Sequence, residues 1–222
     1  MEQKLRNTAK RDKGLQPEDT ATRILNQAMR LFLDKGYHGT SIDDITQSAG
    51  ITKGALYWYF DSKESLLRRI LKEFEKNFLD GLIEGVTEVK GGALDKFEKY
   101  IRYISAFAYY NRELCVSFTT LAAELVGAHH GTEPEFKKIY KKYRKFLSEL
   151  VLQGKKEKVF KEELDPDLAA LVMTAFHDGI LLQWSMNRER DGINAPPSLP
   201  LRIDGEAYVN TFKKIMLKGL MV

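Results

Sequence analysis

Three groups of residues in this 222-residue chain could do chemistry. His177 and Asp178 adjoin, and Cys115 is the single thiol: on paper a base, its neighbour and a nucleophile. No spacing brings them together and no oxyanion-forming loop accompanies them, so no catalytic residue is assigned and no enzyme is expected. His129 and His130 are consecutive, so on a helix their rings diverge by about 100°, and no further His or Cys follows at ligand spacing. No metal site and no cofactor are expected. The third group is Thr52-Lys53-Gly54, then Tyr57-Trp58-Tyr59, then Lys63. It offers cations for phosphate or guanine and a glycine that lets backbone come close. Its rings can touch thymine methyls or donate to phosphates. That is chemistry for a duplex surface.

Such residues must stand on something rigid. Thr40 or Ser41 can cap a helix, with Asp43 or Asp44 completing a variant capping box. Ile42, Ile45 and Ala49 then recur on one face, and Gly50 can take the left-handed conformation that ends the helix. Thr52 is a second cap, and Lys53 to Phe60 gives a helix of about two turns. Leu56 and Phe60 point inward; Gly54, Ala55 and Trp58 point outward, flanked by Tyr57 and Tyr59. Neither helix is long enough to stand alone, so each must pack on neighbours. Helix, tight turn, helix is a DNA-reading unit whose second helix enters the major groove.

The order Gly36-Tyr37, Thr40-Ser41, Ile45, Ala49-Gly50, Thr52-Lys53-Gly54, Leu56-Tyr57, Phe60, Lys63-Glu64 resembles the TetR family of bacterial repressors, in detail from Thr22 to Leu67. The resemblance implies that Thr40, Lys53, Gly54, Tyr57, Trp58, Tyr59 and Lys63 lie at positions that contact DNA. Ser41 and Thr52, the caps, are counted with them. One departure is Thr46, where the family carries a tightly packed alanine.

Composition sets limits. A hydrophobic content of 43% is enough for a real core. The net charge of +4 is mild, so basicity for DNA must be local, at the motif and in an arm carrying Lys4, Arg6, Lys10, Arg11 and Lys13. One cysteine excludes an intramolecular disulfide. No run of 18 apolar residues and no apolar N-terminal segment is present, so the expectation is a cytoplasmic protein with no membrane partner.

Beyond the motif, apolar residues recur at helical spacing and no strand alternation appears. The expected fold is all-α, about nine helices. A flexible basic arm (1–19) precedes a three-helix DNA-binding domain (20–67) and a larger helical ligand-binding and dimerisation domain (68–222). Glycines 81, 85, 91 and 92 mark a weak stretch near the boundary. Two heads spaced by about 34–36 Å reach successive major grooves, so a homodimer on a pseudo-palindromic double-stranded operator is expected. Leu168 to Trp184 and Tyr208 to Leu220 are the candidate interface. The resemblance implies a small-molecule effector bound among the middle helices. Candidate walls are Tyr103, Phe107, Tyr110, Cys115, Phe118, Thr119, Phe176, His177 and Trp184, which suit an apolar or amphipathic ligand such as a lipid-like acyl group or a planar aromatic compound. The expected function is a homodimeric repressor released by that ligand. The alternatives are a constitutive DNA-binding protein without ligand, and a small-molecule carrier that binds no DNA.

Overall fold

The structure, a computed structural model, describes residues 19–128, 130–186 and 205–221. The basic arm, His129 and Asp204 lie outside them. Ten α-helical segments and no strand occur among the described residues: α1 (Thr20–Lys35), α2 (Ile42–Ala49), α3 (Lys53–Tyr59), α4 (Lys63–Phe74), α5 (Gly81–Thr87), α6 (Ala93–Tyr110), α7 (Arg112–Leu125), α8 (Glu133–Lys156), α9 (Pro166–Met186) and α10 (Gly205–Leu220). A π-helical turn, Glu75–Asp80, fuses α4 to α5, so the described residues read as nine helices.

Cα proximity divides the chain into two compact units. The first comprises the described residues up to Asn77 together with Tyr110–Ile139; the second comprises Phe78–Tyr109 and the described residues from Tyr140 onward. In the first, Ile24, Ala28 and Phe32 of α1 are buried at intervals of four, the stripe of a helix seated on a core. That stripe packs against α2 and α7. Gly36 ends α1 at φ 75°, and a Cβ there would lie 3.1 Å from Glu124 Oε2. Ser41 closes a capping box on α2: its Oγ accepts from the Asp44 N–H at 3.0 Å, and Asp44 Oδ2 accepts from the Ser41 N–H at 2.8 Å. Gly50 then takes the left-handed conformation, φ 64°. Thr46 is buried, and its hydroxyl donates to the Asp43 carbonyl at 3.0 Å, so the family's alanine position holds a satisfied polar group. Phe74 stacks on Phe118 (centroids 4.0 Å, planes 8° apart), and Phe118 in turn meets Phe136 at 5.3 Å.

The glycines do not all act as breakers. Gly81 and Gly85 lie inside α5, and the break comes only at residues 88–92. A Cβ on Gly81 would sit 2.5 Å from the Tyr103 hydroxyl, so this glycine serves close approach.

In the second unit, Tyr100 and Tyr143 share a buried hydroxyl–hydroxyl hydrogen bond of 3.0 Å, and Phe97 meets Phe160 edge-on at 5.7 Å. Asp165 Oδ1 caps α9 by accepting from the N–H groups of Asp167 and Leu168, both at 2.9 Å, with Pro166 in first position. Helix α9 is apolar almost all round, yet only one face is covered: Ala170, Met173, Thr174, His177 and Leu181 are buried, whereas Leu168, Leu171, Val172 and Leu182 are exposed. On α10, Ile215 is exposed as well.

Candidate functional site

Helix α3 is held by one inward residue and by its ends. Leu56 is fully buried, Phe60 follows in the core, and Thr52 Oγ1 accepts from the Ala55 N–H at 3.2 Å. Ala55, expected to point outward, is half-buried; the other residues of α3 are displayed. Trp58 is 82% exposed, Tyr57 50% and Tyr59 42%. Large rings left this open on a short, doubly anchored helix are a contact surface, not a core. Lys53 is exposed, and its ammonium pairs with Asp43 at 2.7 Å, which raises its pKa and keeps it charged. At Gly54 an added Cβ would meet only Thr52 Oγ1, at 3.9 Å. Nothing among the described residues requires glycine there, which leaves the helix surface open to a close approach from outside. Gly54→Ala should therefore stabilise the fold slightly, by about 0.5–1 kcal/mol, while weakening duplex binding. Thermal unfolding and a DNA titration on the same sample check both halves.

The sequence-derived contact set separates into two. Ser41, Thr52, Lys53, Gly54, Tyr57, Trp58 and Tyr59 are exposed together. Thr40 is buried, and its hydroxyl donates to the carbonyls of Gly36 (2.7 Å) and Leu31 (3.1 Å), closing the end of α1. Lys63 is half-buried. Its Nζ donates to the carbonyls of Tyr37 and Thr40, both at 2.7 Å, and stands 4.2 Å above the Tyr37 ring. Partial burial lowers its pKa. Two of its three N–H donors thus serve the loop between α1 and α2.

That loop has a second anchor which sequence reading did not identify. Glu124, on α7, accepts from the N–H groups of Tyr37 at 2.9 Å and His38 at 3.0 Å. The partners are more than 80 residues apart in sequence, and no local pattern announces them. Nearby, Arg68 Nη2 donates to Glu64 (2.7 Å) and to the Gly131 carbonyl (2.6 Å) while its Nη1 pairs with Glu135, and the His130 ring meets Tyr37 edge-on at 4.6 Å.

The candidate ligand residues also divide. Tyr110, Cys115, Phe118 and Thr119 fall in the first unit. There Cys115 is buried, which pushes its thiol up to about 12, and Thr119 donates back to the Cys115 carbonyl at 3.2 Å. Tyr103, Phe107, Phe176 and His177 fall in the second unit. The Trp184 side chain lies outside the described residues. Phe78, not singled out from the sequence, gathers part of this second set, with ring centroids at 4.9 Å from Phe107, 5.9 Å from Tyr143, 6.2 Å from His177 and 6.5 Å from Tyr103.

Burial pushes His177 down to about 4. Burial pushes Asp178 up to about 6, against a hydrogen bond from Tyr140 that lowers it. These act oppositely on stability. An unfolded histidine takes up its proton near 6.5 and the folded one only near 4, so acidification through that window costs stability. The folded Asp178 carboxyl protonates near 6 and the unfolded one near 3.8, so acidification there favours the fold. Arg144 also acts on the neighbouring Tyr140. Asp178→Asn should remove the compensating half, and its melting temperature should fall further than wild type between pH 6.5 and 4. Parallel pH profiles would refute this.

Among the described residues no group of three or more His, Cys, Asp or Glu could hold a metal ion, and no helix is long and apolar enough to cross a membrane.

Residues 24–70 match the family model described as bacterial regulatory proteins, tetR family. The transcriptional repressor KstR2 of Rhodococcus jostii is 30% identical over 164 residues, which is 67% of this chain and 71% of the relative. Among solved structures, the MbdR regulator from Azoarcus sp. CIB superposes with a TM-score of 0.77 at 26% identity, over 92% of this chain and 100% of that one. FadR from Bacillus subtilis in complex with stearoyl-CoA gives 0.70 at 22% identity, over 89% of this chain and 97% of the other. AibR in complex with isovaleryl coenzyme A and operator DNA gives 0.68 at 22%, over 89% and 97%. The last two likenesses are of fold alone.

Proposed function

Because this chain belongs to the TetR family of bacterial transcriptional regulators, we propose that it acts as a homodimeric repressor that leaves a pseudo-palindromic operator when it binds an acyl-coenzyme A. The observation that carries the proposal is the displayed edge of α3, with Trp58 82% exposed between two exposed tyrosines. Lys53 and Gly54 open that edge at the helix N-terminus, the end that faces bases when such a helix enters the groove. Residues 20–67 form the reading head in this proposal and 68–222 the responding body. The protein works where the chromosome is, in the bacterial cytoplasm.

The pairing with a second copy rests on the uncovered apolar face of α9. A single head makes few contacts; two heads at matched spacing gain affinity through effective concentration. The effector class rests on the aromatic cluster around Phe78 and on the coenzyme A thioesters held by FadR and AibR. Release requires only that the ligand prefer a head spacing that misses the grooves; a coupling of about 1–3 kcal/mol changes operator affinity roughly 5- to 150-fold.

The test is selection of bound duplexes from a random pool, followed by titration of the selected duplex with and without stearoyl-coenzyme A. Palindromic enrichment with release by the thioester supports the proposal. Binding without sequence preference would overturn it. On the selected duplex, Tyr57→Ala and Trp58→Ala should each weaken binding by about 1–3 kcal/mol per head, with the melting temperature unchanged, because neither ring is part of the core.

A further inference from the structure

We propose that His177 recognises the effector through one hydrogen bond from its ring Nε2–H to a neutral carbonyl oxygen carried on an apolar chain. This rests on the effector reading above and narrows it to one residue and one functional group.

His177 is buried, and its Nε2 has no hydrogen-bond partner. An unpaired buried nitrogen is costly, so its persistence calls for a partner from outside the chain. The ring lies against Phe78 at 6.2 Å and Tyr143 at 6.3 Å. Both offer apolar surface. The Tyr143 hydroxyl is engaged with Tyr100 at 3.0 Å, and Tyr140 is engaged with Asp178. The two tyrosine hydroxyls are thus committed elsewhere, and His177 Nε2 is left over.

A second irregularity meets the first. Phe78 lies in the π-helical turn Glu75–Asp80. Such turns are costly interruptions of an α-helix and gather at functional positions. An orphaned nitrogen and a widened turn therefore share one contact, Phe78 on His177.

The surroundings specify the ligand's charge. Burial keeps the His177 ring neutral at physiological pH. It can donate to a carbonyl but supplies no cation for a carboxylate. Asp178, next in sequence, is ionised at neutral pH with its carboxyl at about 6, and it opposes a second buried anion. An ionised fatty acid is therefore disfavoured, because an unpaired buried charge costs far more than an unpaired dipole. A thioester carbonyl carries no charge and accepts the hydrogen bond.

Three probes decide this by calorimetric titration of the full chain: stearoyl-coenzyme A, its thioether analogue S-octadecyl-coenzyme A, which lacks the carbonyl, and stearate. The thioester should bind about tenfold tighter than the thioether, equivalent to about 1.4 kcal/mol, and stearate should bind weakest. His177→Phe should erase the difference by weakening the thioester alone. Equal binding of thioester and thioether by the wild type would overturn the role of His177 while leaving the effector class standing. Equal losses for both compounds in His177→Phe would reduce the residue to packing. Stearate binding as tightly as the thioester would overturn the neutral-carbonyl requirement. No binding of either coenzyme A compound would overturn the acyl-coenzyme A reading, and this inference with it. The wild-type comparison needs no variant, so it holds even if His177→Phe does not fold.

Discussion

Val172→Glu should yield a folded monomer that no longer binds its operator at concentrations where the wild type is saturated. Val172 and Leu168 are each 62% exposed in the protomer, Leu171 46%, Leu182 43%, and Ile215 on α10 55%. On α9 these residues share a face with the exposed positions 175 and 179. A contiguous apolar face of this kind is rare on a monomer. If a second copy covers it about a twofold axis, one substitution places two carboxylates in the seam. Each loses its water without gaining a partner, a cost of several kcal/mol per ion. Losing the dimer then removes the second head, and with it an avidity of roughly 10²–10⁴. The protomer fold should survive, because the side chain points away from its own core. Sedimentation velocity and a DNA titration report the two effects separately. A dimeric variant with wild-type operator affinity would show that α9 is not the seam.

Lys63→Ala should lower stability more than it changes the salt dependence of DNA binding. The ammonium holds two carbonyls, and hydrogen bonds to charged groups contribute about 1.5–3 kcal/mol each. Glu124 holds the two N–H groups on the other side of the same loop. Solvent screens this half-buried ammonium, so the net loss is about 2–4 kcal/mol, a melting temperature lower by roughly 4–16 °C for a chain of this length. Glu124→Ala should act in the same direction, and Glu124→Gln, which keeps an acceptor oxygen, should cost less. The double variant should fall short of the sum, since both residues fasten Tyr37. The slope of log affinity against log salt should stay near the wild-type value. A slope flatter by about one per head at unchanged melting temperature would instead assign Lys63 to a phosphate.

The two predictions differ in how visible their causes are in the chain. The displayed edge of α3 is local: Thr52 caps, Leu56 and Phe60 anchor four residues apart, and what remains faces out. Ser41 with Asp44 and Asp165 with Pro166 are legible for the same reason, because a cap and its target lie within three residues. Gly81 misleads, since a glycine that admits the Tyr103 hydroxyl looks in sequence like one that breaks a helix. Lys63 is legible only in part. Its position in the motif suggests a phosphate contact, and only folding shows that the Tyr37 and Thr40 carbonyls lie beneath it.

The order of residues by itself determined the all-helical class, the helix-turn-helix unit and the outward rings of α3, because those follow from capping and from the 3.6-residue period within a few turns of chain. Tertiary structure alone decided that Glu124 and Lys63 grip one loop, that Phe118 is matched by Phe74, and that His177 keeps an unanswered nitrogen. Those outcomes depend on which distant groups meet. Pairings across tens of residues leave no periodic trace, because the free energy that selects them comes from burial and hydrogen bonding in the assembled core.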